Sequence, residues 1–148
     1  ADLYLKADKP GTYFGQCAEF CGWQHAKMRL LVIAEPQKQF EAWRAAQLKA
    51  AEEPANELQS RGKQVFLSTT CVMCHTIRGT TAGARLGPDL THIASRQFIA
   101  ANTVANMPGH LAGWIVDAQK IKPGVRMPQN SIPPTDLRAL LEYLENLK

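Results

Sequence analysis

Two short stretches hold most of the residue types that could do chemistry. CAEFCGWQHAKM, Cys17 to Met28, places two cysteines, a histidine and a methionine within twelve residues. CVMCH, Cys71 to His75, places two cysteines just ahead of a histidine. All four cysteines of the chain fall in these motifs, so none remains for a scattered disulfide framework, and cofactor chemistry is the better reading. Cys17, Cys21, His25 and Met28 follow C-x-x-x-C-x-x-x-H-x-x-M, a set of thiolate, imidazole and thioether donors of the kind copper takes in electron-transfer sites. Two bridging thiolates can hold two copper ions close enough to share one electron, which keeps the geometry change on reduction small and the transfer fast. On the residues alone, a Cys17–Cys21 disulfide with His25 on the surface explains the stretch equally well.

C-x-x-C-H is the pattern of covalent c-type haem attachment. Thiols at Cys71 and Cys74 reach the two vinyl groups along one porphyrin edge, and His75 then brings an imidazole nitrogen under the iron. A thioredoxin-like redox pair would want a βαβ context, which the pattern lacks. A zinc site would want a second Cys/His pair, and residues 76–148 contain no cysteine. The iron's other face needs a ligand or stays open. Met107, Met127, His92 and His110 are the candidates, while Met73 sits inside the motif and cannot cross the ring. His92 and His110 read more readily as a polar surface residue and a helix-start residue than as ligands.

The elements that must position these residues change character along the chain. Residues 1–34 read as strands: Asp2–Leu5 and Thr12–Gln16 flank a Pro10-Gly11 turn, and Met28–Ala34 is an apolar run of the buried-strand type. The Cys17–Met28 stretch is then a loop between two strands. A β-sandwich takes about 100 residues, so the front of this domain is expected upstream of residue 1. Pro36 suits a helix first turn, and Phe40, Trp43, Ala46 or Gln47, and then Ala50 make a helical stripe. The polar KAAEEPAN end of this segment reads as a linker with its boundary near Pro54–Asn56. The division is therefore 1–34, an incomplete β-domain; 35–56, a helical linker; and 57–148, a mainly α domain. Its expected helices are Glu57–Leu67, Leu111–Gln119 and a last one capped by Thr135, with a Leu137, Leu140, Leu141, Leu144, Leu147 stripe. Trp114 reads as a residue of the helix core. A Gly-rich loop runs from Thr76 to Pro88, and Ile121–Pro134 is extended.

With helix, CVMCH, the Gly87-Pro88-Asp89-Leu90 segment, a methionine loop and a final helix in that order, residues 57–148 resemble a class I cytochrome c. The resemblance implies that Met127, in KPGVRMP, is the second axial ligand, and that the Pro88 carbonyl accepts a hydrogen bond from the axial His75 ring. Met107 also precedes a proline, but a helix follows it in the wrong order. CAEFCGWQHAKM is similar to the dinuclear copper (CuA) loop of subunit II of haem-copper cytochrome c oxidases, whose C-x-E-x-C-x-x-x-H-x-x-M it matches at every fixed position. By that likeness the copper ligands are Cys17, the backbone carbonyl of Glu19, Cys21, His25 and Met28. The family takes a second histidine from an earlier strand, and none of His25, His75, His92 and His110 precedes the loop.

A copper loop followed by a cytochrome c domain implies the caa-type branch, in which the electron donor is fused to subunit II. The expected fold is mainly α: a class I cytochrome c preceded by a helical linker and a β remnant of a truncated cupredoxin domain. The implied cofactors are covalent haem c and, in a full-length parent, the dicopper centre. The implied partners are oxidase subunit I, the other oxidase subunits, and an upstream cytochrome or quinol-oxidising complex as donor. The implied location is the periplasm or the outer face of a bacterial membrane, with membrane attachment only through a more N-terminal part. The chain would belong to an enzyme without itself carrying a bond-making step. A c-type cytochrome shuttle with an unrelated β-appendage is the alternative, and a haem enzyme or gas sensor with an open iron is a third.

Charge and hydropathy agree with a redox protein. Seven Lys/Arg against seven Asp/Glu in residues 1–56 leave ten against six in residues 57–148, so the +4 surplus lies in the second part and suits an acidic docking face. It is too small, and too free of basic runs, for nucleic acid. The longest apolar run, Leu30–Ala34, is far short of the ~18 residues of a membrane span.

Overall fold

The computed structural model describes residues 4–148. Its first elements are two antiparallel strands, β1 (Gly11–Gln16) and β2 (Arg29–Ala34), in register from Gly11 opposite Ala34 to Gln16 opposite Arg29. Asp2 and Leu3 of the expected Asp2–Leu5 strand lie outside the described residues, and Tyr4 and Leu5 are exposed and not in a strand. The reading of Met28–Ala34 as a buried strand is also corrected. Leu30 and Ile33 are 54% and 48% exposed, because a two-stranded sheet has no second layer to cover its apolar side chains.

Helix α1 (Gln37–Gln47) starts directly after Pro36, whose φ of −54° leads into it. The Phe40–Trp43 stripe exists, with ring centroids 5.8 Å apart, but no residue of α1 is buried. The following segment is polar yet tied down. Ala51 N–H donates to Arg78 O at 2.9 Å, Arg78 Nη2 donates to Gln47 O at 2.6 Å, and Ala51 packs on the core.

Helices α2 (Glu57–Ser68), α3 (Pro108–Ile121) and α4 (Pro134–Glu145) build the core. Asn56 caps α2 by accepting the Gln59 N–H at 2.9 Å, which satisfies one of the first turn's unpaired donors. α3 follows a small hairpin of β3 (Phe98–Ile99) and β4 (Val104–Ala105) that periodicity does not reveal, because each strand is only two residues long. The cap of α4 is a correction: the helix begins at Pro134 behind Pro133, with Thr135 inside its first turn. Proline at the first helical position has its φ already set and loses no hydrogen bond there. α2 and α4 pack closely through Gly62. Leu140, Leu144 and Leu147 of the expected stripe are buried together with Phe66 and Tyr143, while Leu137, Leu141 and Trp114 are half-buried against the same cluster. The architecture is mainly α with small antiparallel strand pairs, and no helix among the described residues is long and apolar enough to cross a membrane.

Candidate metal sites

The Cys17–Met28 loop joins β1 to β2, and its ends are closed by the Cys17 N–H donating to Met28 O at 3.0 Å. Gly22 turns the chain at φ +113°, a region that L side chains rarely adopt, and a short 3-10 turn (His25–Lys27) brings the loop back. Gln16, the last residue of β1, reaches into the loop and donates from Nε2 to His25 O at 3.1 Å and Ala26 O at 3.3 Å. The loop's sulfur and nitrogen atoms converge as a result. Ligand atoms of Cys17, Cys21 and His25 all lie within 4.8 Å of one another. Cys17 Sγ is 3.4 Å from Cys21 Sγ and 3.2 Å from Glu19 O. Cys21 Sγ is 3.7 Å from His25 Nδ1 and 3.5 Å from Met28 Sδ. Two thiols, an imidazole, a thioether and a carbonyl thus face one small volume, a donor set that fits copper. The hydrogen bond with Cys17 raises the Cys21 thiol pKa, with desolvation and the neighbouring thiolate charge adding to it.

The second imidazole of a dicopper site is not beside this cluster. Among the described histidines, His75 Nδ1 pairs with Pro88 O and His110 Nδ1 with Ala105 O at 2.9 Å. His92 is not the surface residue expected. It is 6% exposed, with Nδ1 2.7 Å from Lys148 O and Nε2 3.2 Å from Lys49 O, so its ring ties the linker and the C-terminal helix together.

The second motif follows α2 on a 3-10 turn (Thr70–Met73), and the N–H groups of Cys74 and His75 both donate to Cys71 O. His75 Nδ1 lies 2.8 Å from Pro88 O. A carbonyl only accepts, so Nδ1 carries the proton and Nε2 is left as the lone-pair nitrogen a metal needs. Gly87 lies against the ring and donates its N–H to Cys74 O at 2.7 Å. Met127 is half-buried in the loop after α3, and Gln119 holds the first part of that loop. Gln119 donates from Nε2 to Val125 O at 2.7 Å and Met127 O at 2.9 Å, and its Oε1 accepts from Gly124 N–H at 2.9 Å. An open cleft of about 520 Å³, lined by Val116, Gln129, Asn130, Ser131 and Ile132, adjoins the motif through the 3.2 Å Thr70–Asn130 hydrogen bond. Met107, the rejected candidate, is 56% exposed and directly precedes α3. Sequence reasoning missed Gln16, Gln119 and Asn130. Of these only Gln16 carried a signal, its place next to Cys17.

Residues 59–148, more than half the chain, match the cytochrome c family. The chain belongs to that family. As a cytochrome c the chain takes haem c over the matched residues, and the pair of thiols and the lone-pair imidazole nitrogen fit that group. Residues 1–35 match the periplasmic domain of cytochrome c oxidase subunit II. Proteins named cytochrome c oxidase subunit 2 are similar along nearly all of this cytochrome c chain. That of Alkalihalophilus pseudofirmus is 37% identical over 147 residues, 99% of this chain and 42% of the relative. That of Bacillus subtilis is 30% identical over 141 residues, covering 92% and 39%, and that of Bacillus sp. PS3 is 30% identical over 145 residues, covering 93% and 40%. The chain thus spans about two fifths of the length of these relatives.

Proposed function

We propose that the chain is the electron-entry part of a cytochrome c oxidase subunit II of the caa type. It takes electrons from an upstream cytochrome or quinol-oxidising complex at the Cys71–His75 domain and passes them through the Cys17–Met28 loop to the oxygen-reducing subunit I. The observation that carries the reading is the convergence of Cys17, Cys21 and His25 ligand atoms within 4.8 Å in the same chain as a haem-attachment motif. The named relatives and the two family matches support it.

Cys71 and Cys74 would hold haem c through thioether bonds, His75 and Met127 would hold its iron, and Pro88 O holds the His75 ring in the tautomer that presents Nε2. A thioether and an imidazole together would favour the ferrous state and raise the potential. With both residues engaged no place would remain for a substrate, and the domain would carry electrons only. Haem c supplies a one-electron iron couple there, and copper supplies a second one at Cys17, Glu19 O, Cys21, His25 and Met28. The proposed location is the outer face of a bacterial cytoplasmic membrane, with the rest of the oxidase as partner.

The test is electron paramagnetic resonance of the haem-bearing chain, and of the same chain within the full-length subunit, after copper loading. In the full-length subunit a seven-line signal shared over two coppers is expected, and it should vanish in Cys21→Ser. In the 148-residue chain the second histidine is lacking, and no such signal is expected. Absence of the signal from the full-length subunit overturns the reading in favour of a shuttle cytochrome with a β-appendage.

A further inference from the structure

The copper loop does not hang from the rest of the molecule. Lys27, next to Met28, donates from Nζ to Ile121 O at 2.7 Å, and Lys122 donates from Nζ to Lys27 O at 2.9 Å. Each lysine therefore caps a carbonyl on the other's segment. Gln24 Nε2 donates to Pro123 O beside this pair, and Phe14 of β1 meets Phe98 of β3 edge-on at 6.3 Å. Lys122 is only 8% exposed. Burial of an ammonium is costly unless its hydrogen bonds are met, and here both partners are backbone carbonyls, Lys27 O and Ala100 O at 3.3 Å. Among the described residues no carboxylate is one of its hydrogen-bond partners, so docking of the copper loop itself supplies one of the two bonds that satisfy this charge.

The second observation is strain. Ala100, Ala101 and Asn102 all have φ between 55° and 57°, three consecutive non-glycine residues in the left-handed region. A run of three such residues is strained relative to ordinary backbone, and such strain persists only where the surroundings over-determine it. The surroundings here are the hairpin itself, with Thr103 N–H donating to Ile99 O at 3.1 Å, and the docking contacts. The left-handed turn aims Ala100 O at Lys122 Nζ and at Thr103 Oγ1, the latter 2.6 Å away, and Thr103 Oγ1 lies 3.5 Å from Lys27 O.

We propose that the left-handed turn Ala100–Asn102, Thr103 and the buried Lys122 form a built-in socket whose occupant is the chain's own segment Gln24–Lys27, and that this socket fixes the copper loop against the methionine loop of the haem domain. The occupant follows from reciprocity: Lys27 both donates into the socket and is capped by it, which a passing partner would not reproduce at both ends. The two ligand-bearing loops meet at this point. Lys27 precedes Met28, and Ile121–Pro123 leads into the segment whose carbonyls Gln119 holds up to Met127. The inference deepens the proposed function, since a fixed arrangement serves repeated one-electron exchange within one chain. Its geometry nevertheless stands on hydrogen bonds that need no metal.

The test is amide hydrogen exchange on the full chain with haem attached, comparing the wild type with Lys122→Met and with the milder rim variant Gln24→Ala. Loss of a charge-assisted hydrogen bond predicts about tenfold faster exchange at Lys27 and Met28 N–H in Lys122→Met, with a smaller gain in Gln24→Ala. The iron–sulfur charge-transfer band near the red end of the ferric spectrum should stay in place, which separates undocking from unfolding. Unchanged exchange in both variants overturns the socket. Protection that rises with protein concentration also overturns it, by assigning the socket to a second copy. Neither result depends on copper, so the proposed electron route is judged by its own resonance experiment.

Discussion

Gly87 stands against His75 so closely that a Cβ built on it would lie 2.6 Å from His75 Cε1 and 2.8 Å from Nδ1. The ring that must present Nε2 is clamped between this backbone and the Pro88 carbonyl. The glycine's φ is unremarkable, so it is space rather than conformation that excludes a side chain here. Gly87→Ala is expected to push the imidazole off its hydrogen bond with Pro88 O. The ferric spectrum should then show partial high-spin character, and the yield of chain with covalently attached haem should fall. Gly83→Ala, which meets nothing within 4 Å, is the control.

The methionine assignment separates cleanly in a spectrum. Met127 lies in a loop with its own carbonyl held by Gln119, while Met107 is 56% exposed and sits directly before α3. Met127→Ala should abolish the sulfur-to-iron charge-transfer band, and Met107→Ala should leave it. Gln119→Ala should weaken the band and make it lost at a lower temperature, because three hydrogen bonds to the loop go with one side chain.

Gly62 governs the joint of α2 and α4. A Cβ there would meet Ala139 O at 2.0 Å and Tyr143 Cβ at 2.6 Å, and the first of these is backbone that cannot swing away. Overpacking in cores costs about 1–3 kcal/mol and more when backbone must move. Gly62→Ala is expected to cost about 3 kcal/mol, read as a lowered denaturation midpoint at an unchanged denaturant slope.

Glu145 lies half-buried at the end of α4 with Oε1 unpaired, and burial first, then the Glu142 charge, raises its carboxyl pKa above 4.5. A carboxyl raised in the folded state favours the protonated form. Its contribution to stability is therefore fully present below the unfolded pKa and is lost as pH rises through the folded one. Glu145→Gln keeps the neutral shape at every pH. Thermal melts should show the variant more stable than the wild type at pH 7 and the two converging near pH 4; a variant equally destabilised at both values would refute the account.

Local chemistry was legible in the sequence. Two thiols spaced for one porphyrin edge with a histidine behind them, and C-x-x-x-C-x-x-x-H-x-x-M between two strands, name the donors each stretch offers because those donors are close in the chain, although the second pattern left a disulfide equally open. The 3.6-residue stripe of Leu140 and Leu144, continued by Leu147 just past the helix end, likewise marked the buried face of α4, since one helix face must find the core whatever lies opposite. Tertiary structure decided what depends on residues far apart. The β2 apolar run looked buried, but burial needs a second layer, and β2 pairs only with β1. His92 looked like a surface residue, but it joins Lys49 O to Lys148 O across 43 and 56 positions. The burial of Lys122 against Lys27 O, 95 positions away, follows only once the Cys17–Met28 loop and the turn at Ala100–Asn102 are placed side by side. Residue types and short spacings fix the donors, whereas the satisfaction of a buried polar group is a property of whichever carbonyls the fold brings to it.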